Sequence, residues 1–230
     1  MESRSFREVK RELAPKLVHE GVPRVDALFA LTLTEYIRWF DVQIFGAKDY
    51  APIIIQHEPE DFLAECHQLT DGTYRYIVHA YAIVRRVRRD VRKTQFFISR
   101  ATGNLQIVPA GVAHPRIREF LIAVAAHEVR HRLQMVGVLP RMFSPSLESA
   151  PSGGLIRFLW QIERVRHAIS IHNAIAEGLH PRAIASAASA GEFDARLVEQ
   201  VVMHRICACE TEEDLVDLVL TEPETTERRA

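Results

Sequence analysis

Two histidines stand four positions apart in the middle of the chain, in the sequence His-Glu-Val-Arg-His that runs from His127 to His131. On an α-helix this spacing brings both imidazoles to one side, about one turn apart. Two imidazoles placed in this way can share one tetrahedral metal ion, and zinc is the ion that such ligands favour. The sequence therefore predicts a Zn²⁺ site with His127 and His131 as ligands.

Glu128 directly follows the first histidine and would lie beside the open coordination position of that metal. A carboxylate there can take a proton from metal-bound water, whose pKa zinc lowers toward about 7, and pass it to a leaving amine. We therefore assign Glu128 as the catalytic general base. The alternative is a chance match, because 11 of the 230 residues are histidines and the three side chains could be an ordinary polar group.

The helix predicted around the motif favours the interpretation as a metal site over a chance match. Pro115 suits its first turn, and the helix is expected to run to about Val136. Three ionisable groups on a buried face would cost several kcal/mol unless something satisfied them, and a metal with its water does so. The stripe expected to be buried runs through the motif and consists of Ile117, Leu121, Val124, Glu128, His131 and Met135.

With this motif the chain resembles the zincin superfamily of metallopeptidases. The metzincin branch is excluded, because Gln134 and Gly137 occupy the positions of its glycine and third histidine. The resemblance to the gluzincin branch implies a glutamate on a later helix as third ligand, and Glu163 in FLWQIERVRHAIS is the best-placed one. That branch has an aspartate where this chain has His167. Four other residues therefore stay open as third ligands: His167, Glu148, Glu177 and Asp194.

The resemblance implies a zinc-dependent hydrolase that cleaves peptide bonds in a peptide or protein. The group that would stabilise the oxyanion stays open between His167, His172, an arginine and a residue upstream of the motif. A different class of function is a zincin-like binding or regulatory module, in which the metal is structural or the site is idle. A second metal site at His204, Cys207 and Cys209 is disfavoured, because Cys-x-Cys on a helix points its thiols to different sides.

Apolar periodicity predicts the elements around the motif. Helices are expected at 4–18 and 22–40, a strand at Ile53–Ile55, and a helix from Pro59 to about His67. TYRYIV, after the turn at Asp71-Gly72, reads as a strand. TQFFIS and LQIV can pair as a hairpin, which together with the Ile53–Ile55 strand suggests one small sheet. After the motif, helices are expected at 155–177, 181–190, 192–207 and, from a capping box at Thr211 and Asp214, to about Leu220.

These elements predict an α+β fold, a mostly helical zincin-like domain with a small β-sheet beside the HExxH helix. One domain is expected over 1–220, with N-terminal helices in 1–45, the sheet and motif helix in 50–136, C-terminal helices in 155–220 and a disordered tail at 221–230. The segment from Gly137 to Gly154 is too long for a routine connection. It is expected to be either a lid, forming the substrate cleft with the LQIV strand, or a disordered loop.

Composition excludes several classes of protein. With 47% hydrophobic and 26% charged residues the chain is typical of a soluble globular protein. Its charged start and the lack of an apolar run of about 20 residues argue against a secretory signal or a membrane span, which predicts a cytoplasmic protein. Three cysteines in a reducing compartment need not form a disulfide.

A basic segment offers a further hypothesis. Six basic residues lie between Arg85 and Lys93, on one side of a helix expected over 80–93, whereas 210–227 carries acids and no lysine or arginine. Such a cluster can bind a nucleic-acid backbone. It is more often a solvated face or one paired with the protein's own acidic C-terminal helix. A nucleic-acid-associated protein is therefore the third candidate function.

Overall fold

The motif helix, α2 (Ile117–Val136), is the element on which several of the other helices and one strand pack. The computed structural model describes residues 24–56, 63–83, 85, 95–98, 105–108, 117–139, 142–152 and 154–223. Within that part the fold is mixed α and β and mostly helical. The other helices are α1 (Arg24–Phe45), α3 (Gly154–Ala176), α4 (Pro181–Ala187), α5 (Ala190–Arg205) and α6 (Glu212–Leu220).

A three-stranded sheet lies on one side of the motif helix. Its strands are β1 (Ile53–Gln56), β2 (Ala64–Gln68) and β3 (Tyr74–His79), in the order β1-β3-β2. β1 runs parallel to β3, and β2 runs antiparallel to it. The edge strand β2 packs against α2. The prediction of a small sheet beside the motif helix is confirmed, whereas its zincin-like character stays a prediction.

The segment before the Asp71-Gly72 turn is a strand and not the end of a helix, so the expectation of a helix up to His67 is wrong. AECHQ has few β-branched residues, and nothing in its own composition predicts a strand. The pairing is made by the turn, where Leu69 N–H donates to Thr73 O at 2.8 Å. Once the turn aligns β2 with β3, ladder hydrogen bonds and packing on α2 outweigh the weak local preference.

The predicted hairpin forms, but as a separate sheet. β4 (Gln95–Ile98) pairs antiparallel with β5 (Leu105–Val108), and neither strand pairs with β1 in the part of the chain that the structure describes. Residues 80–83 and 85 are helical as expected. The expected helix at 4–18, the rest of the basic segment and most of the expected tail lie outside the described residues.

The C-terminal helices form two layers on the motif helix. α5 packs directly on α2, and α3 packs on α5. α6 begins with the predicted capping box, in which the side chains of Thr211 and Asp214 each bond to the other's backbone N–H. None of the helices in the described ranges is both long and apolar enough to cross a membrane.

Candidate metal centre

The motif helix is apolar on nearly all sides before the motif begins. Every residue from Phe120 to Ala126 is buried, because α1, α5 and β2 pack around this part of α2. In the expected stripe Leu121, Val124 and Glu128 are buried, while His131 and Met135 are half-buried. The motif thus begins directly after the fully buried, apolar part of α2, and its polar side chains lie at the edge of the core.

Arg130 fixes one side of the motif helix. Its side chain is 0% exposed, and its Nε and Nη2 donate to the two carboxylate oxygens of Asp194 on α5 at 2.6 and 2.9 Å. Its Nη1 donates to the Val219 carbonyl of α6 at 2.8 Å. A two-pronged arginine–carboxylate pair allows little rotation. Arg130 therefore holds α2 in a fixed orientation against α5 and α6.

Arg132 fixes the opposite side. It donates to the carboxylate of Asp41 on α1 and, through Nη2, to the Asp49 carbonyl at 2.6 Å. Its guanidinium also lies over the ring of Phe45, 4.0 Å from the centroid. Tyr76 of β3 donates its hydroxyl to the same Asp41 at 2.6 Å. Because both arginines are anchored, the rotation of α2 about its axis is fixed, and so is the direction in which its two histidines point.

The two imidazoles face each other across a short gap. Nε2 of His127 lies 3.1 Å from Nε2 of His131, and the ring planes are 75° apart. Glu192 of α5 approaches the same point, with Oε2 at 3.2 Å from His131 Nε2 and 3.7 Å from His127 Nε2. Zinc bonds of about 2.0–2.2 Å at the tetrahedral angle separate ligand atoms by about 3.4 Å. The triangle formed by these three atoms has that size.

The other ring nitrogens show which tautomer each histidine adopts. His127 Nδ1 lies 3.1 Å from Oε2 of Glu199 on α5. An ionised carboxylate carries no hydrogen and therefore acts only as an acceptor. His131 Nδ1 lies 3.1 Å from Oε1 of Gln134. Both Nδ1 atoms are therefore donors, and in neutral rings both Nε2 lone pairs point at the gap. Such outer contacts are typical of metal-bound histidines.

The orientation of the Gln134 amide is itself determined. Its Nε2 donates to the Gly191 carbonyl at 2.9 Å and to Asp194 Oδ2 at 2.8 Å. The amide oxygen must then face His131. Gly191 leaves the room for this contact, because a Cβ there would lie 2.8 Å from Gln134 Oε1. The beginning of α5 thus supplies Glu192 and also orients His131.

Electrostatics at the gap favour a cation. Burial alone would lower the pKa of His127, but its bonds to Glu192 and Glu199 outweigh burial and raise that pKa well above its usual value. Burial would raise the pKa of Glu192, yet its contacts with the two histidines hold the pKa far below its usual range. The carboxylates thus stabilise a positive charge between the imidazoles, whether it is a proton or a metal ion.

Glu128, the residue that follows His127, is 5% exposed, and the charges of both histidines act on its carboxyl. Burial, joined by the charges of Glu192 and Glu199, raises the pKa of its carboxyl, although the two histidines oppose the shift. In the described part of the chain its buried Oε2 has no hydrogen-bond partner. A carboxylate with a free oxygen and a raised pKa is suited to accept a proton from water held at the site.

The structure brings Glu192, and not Glu163, to the two histidines. His127, His131 and Glu192 are the only three ligating side chains found grouped within 4.8 Å of one another in the described ranges. Glu163 lies on α3, one layer further out, where it is 2% exposed and 3.9 Å from Arg166 Nη1. Glu192, and not Glu163, is therefore the carboxylate that the structure groups with the two histidines.

The other residues considered for the third ligand lie elsewhere. Asp194 is the partner of Arg130. His167 is buried with its ring edge against Phe193, and burial lowers its pKa. Glu177 is exposed in the turn after α3, and the side chain of Glu148 lies outside the described residues. In the described part His204 and Cys209 join no group of three ligating side chains.

Sequence reasoning missed three features of the site: Glu192, Glu199 and the two buried arginines. A signal for the glutamates exists in α5, where they lie seven residues apart on one face of a helix that also carries many buried positions. Those buried positions are Phe193, Asp194, Ala195, Leu197, Val198, Val201 and Val202.

Comparisons with known protein families, with curated proteins and with solved structures found no match.

The segment after the motif helix is anchored in its middle. Phe143 is fully buried, and its backbone N–H donates to Asp194 Oδ1 at 2.8 Å. Trp160 of α3 donates its indole N–H to the Ser144 carbonyl at 2.8 Å. The expectation of a disordered loop therefore does not apply to Phe143 and Ser144, which are held against α5 and α3. A lid function, and a cleft shared with the LQIV strand, stay predictions.

Proposed function

We propose that this protein binds one zinc ion through His127, His131 and Glu192 and hydrolyses peptide bonds with Glu128 as general base. The observation that carries the proposal is the 3.1 Å gap between the two imidazole Nε2 atoms. Two lone pairs at that distance repel each other unless a cation lies between them. A carboxylate oxygen completes the triangle, which leaves the fourth tetrahedral position for water.

The charges around the gap support a divalent metal over a proton. Glu192 and Glu199 contact the two imidazoles, the charges of both act on Glu128, and Arg196 is paired with Glu192. Three carboxylates against one guanidinium leave an excess of negative charge that a dication can offset. Nitrogen and oxygen donors in a three-residue set with an open position are typical of catalytic zinc.

Each side chain has a defined task in the proposed hydrolysis. When bound, zinc would supply a water of lowered pKa and would polarise the carbonyl of the substrate. Glu128 would accept the proton of that water as the water oxygen bonds to the carbonyl carbon, and would pass the proton to the amine that leaves when the C–N bond breaks. Glu199 keeps His127 in the required tautomer, and Gln134 does the same for His131. Peptides are the proposed substrates because the motif resembles that of the zincins.

The test is metal content together with hydrolysis. Purified protein dialysed against dilute zinc is expected to retain about one zinc per chain. Glu128→Gln is expected to retain the metal and lose cleavage of a mixed fluorogenic peptide library, since the amide cannot accept the proton. A wild-type protein without bound zinc would refute the proposal. Zinc without hydrolysis in the wild type would identify an idle zincin-like binding module instead.

A further inference from the structure

We infer that Arg196 is a positioning residue that keeps Glu192 a one-oxygen metal ligand and so preserves a coordination position for water. This inference rests on the proposed metal site. Arg196 Nε donates to Glu192 Oε1 at 2.6 Å, while Oε2 of the same carboxylate faces the two histidines. The two oxygens of Glu192 are thus divided between the guanidinium and the metal position.

The division matters because a carboxylate can bind zinc through one oxygen or through both. The Arg196 contact is as short as the strongest charge-assisted hydrogen bonds, which are about 2.7–2.9 Å between nitrogen and oxygen. Binding through both oxygens would require Oε1 to turn from the guanidinium toward the metal. With Oε1 retained by Arg196, two imidazoles and one oxygen leave a tetrahedral ion one position for water.

Arg196 is itself held in place from a second helix. Its Nη1 donates to the Ser170 hydroxyl of α3 at 3.3 Å, and its side chain is 30% exposed. The charge of Arg196 also acts on buried Glu163, where it lowers the pKa against the larger raising effect of burial. The side chain of Arg196 therefore lies between α5 and α3. An arginine in an ordinary salt bridge on the surface of a single helix would instead extend into solvent.

A second consequence concerns charge. An arginine bonded to a ligating carboxylate draws electron density away from the oxygen that faces the metal. A weaker donor leaves more positive charge on the metal, and metal-bound water is then more acidic. Arg196 is thus expected to affect turnover more than substrate binding. A merely structural salt bridge would affect the stability of the fold and leave the metal's coordination unchanged.

Cobalt(II) in place of zinc tests this directly, because four-coordinate cobalt absorbs visible light much more strongly than five-coordinate cobalt. Wild-type protein is expected to give the intense four-coordinate spectrum. In Arg196→Met, which keeps the unbranched stem of the side chain but has no donor, the intensity is expected to fall as Glu192 binds through both oxygens. Hydrolysis should lose about 10–100-fold in kcat with a small change in KM.

Matched variants complete the test. Arg196→Lys, whose ammonium can still reach Oε1, is expected to restore most of the intensity. Arg157→Met removes an exposed arginine of α3 and should leave the spectrum as in the wild type. Arg196→Leu, which also has no donor, is measured as well, so that poor folding of the methionine variant does not decide the result. Circular dichroism checks the fold of each.

The outcomes separate the two proposals. No cobalt binding by the wild type would refute the metal site, and this inference with it. An intense wild-type spectrum that is unchanged in both Arg196→Met and Arg196→Leu would leave the metal site standing and overturn the role of Arg196. A fall in both neutral variants that lysine reverses would establish it.

Discussion

Glu192 Oε2 lies 3.2 Å from His131 Nε2, across the interface between α5 and the motif helix. That contact joins two parts of the chain that local sequence patterns do not connect. Several other polar groups join α2 to α5 near the same point. Arg130, Gln134 and Asp194 all hold α5 against α2 at the level of this contact.

Glu192 and Glu163 provide a matched pair of variants for the third ligand. Glu192→Gln is expected to lower zinc affinity by about 100-fold or more, because the site loses a charged donor. Glu163→Gln should retain zinc with an affinity close to that of the wild type, because Glu163 lies one layer further out. Competition with a chromophoric chelator measures both. The opposite order would restore Glu163 as the ligand.

Gln134 should influence the metal without touching it. Gln134→Leu removes the oxygen that accepts from His131 Nδ1, and zinc affinity is expected to fall about 10–100-fold. Gly191→Ala should weaken zinc binding in the same direction, because the added methyl would displace Gln134 Oε1. Calorimetric titration with zinc measures both effects. Unchanged affinity in both variants would contradict the orienting role of the amide.

Asp194 is expected to contribute strongly to stability. Asp194→Ala leaves the buried guanidinium of Arg130 without its charged partner, and the Phe143 N–H loses its acceptor. Breaking a buried pair in this way costs about 3–5 kcal/mol. The exposed Asp217→Asn is the control, with an expected change within about 0.5 kcal/mol. Urea unfolding of metal-free protein compares the two, and equal midpoints would refute the prediction.

Glu163 should make stability depend on pH. Burial raises its pKa from 4.5 to about 7, so the folded protein binds this proton more tightly than the unfolded chain. The stabilising contribution is present below pH 4.5 and is lost as pH rises through about 7.

Glu163→Gln removes that titration. Relative to the wild type, the variant should gain on the order of 1–3 kcal/mol on going from pH 5 to pH 8. Chemical unfolding at both pH values, with a chelator present to exclude metal effects, measures the difference. A constant difference between variant and wild type would show that Glu163 does not titrate in this range.

The sequence by itself determined the local features of the site. The spacing of His127 and His131 places them on one side of a helix, since the geometry of an α-helix depends only on its own backbone. Glu128 next to them, the helix boundaries near Ile117 and Val136, and the capping box at Thr211 follow from equally short-range patterns. Each of these features involves residues at most a few turns apart.

Only the tertiary structure decided which carboxylate meets the histidines. Both Glu163 and Glu192 lie on helices after the motif, and the resemblance to the gluzincin branch favoured Glu163. The choice depends on the packing order, in which α5 lies directly on α2 and α3 lies on α5. The strand at Ala64–Gln68 and the burial of Arg130 and Arg132 were decided in the same way. Such features depend on partners distant in sequence, whose position is set by burial of the whole core.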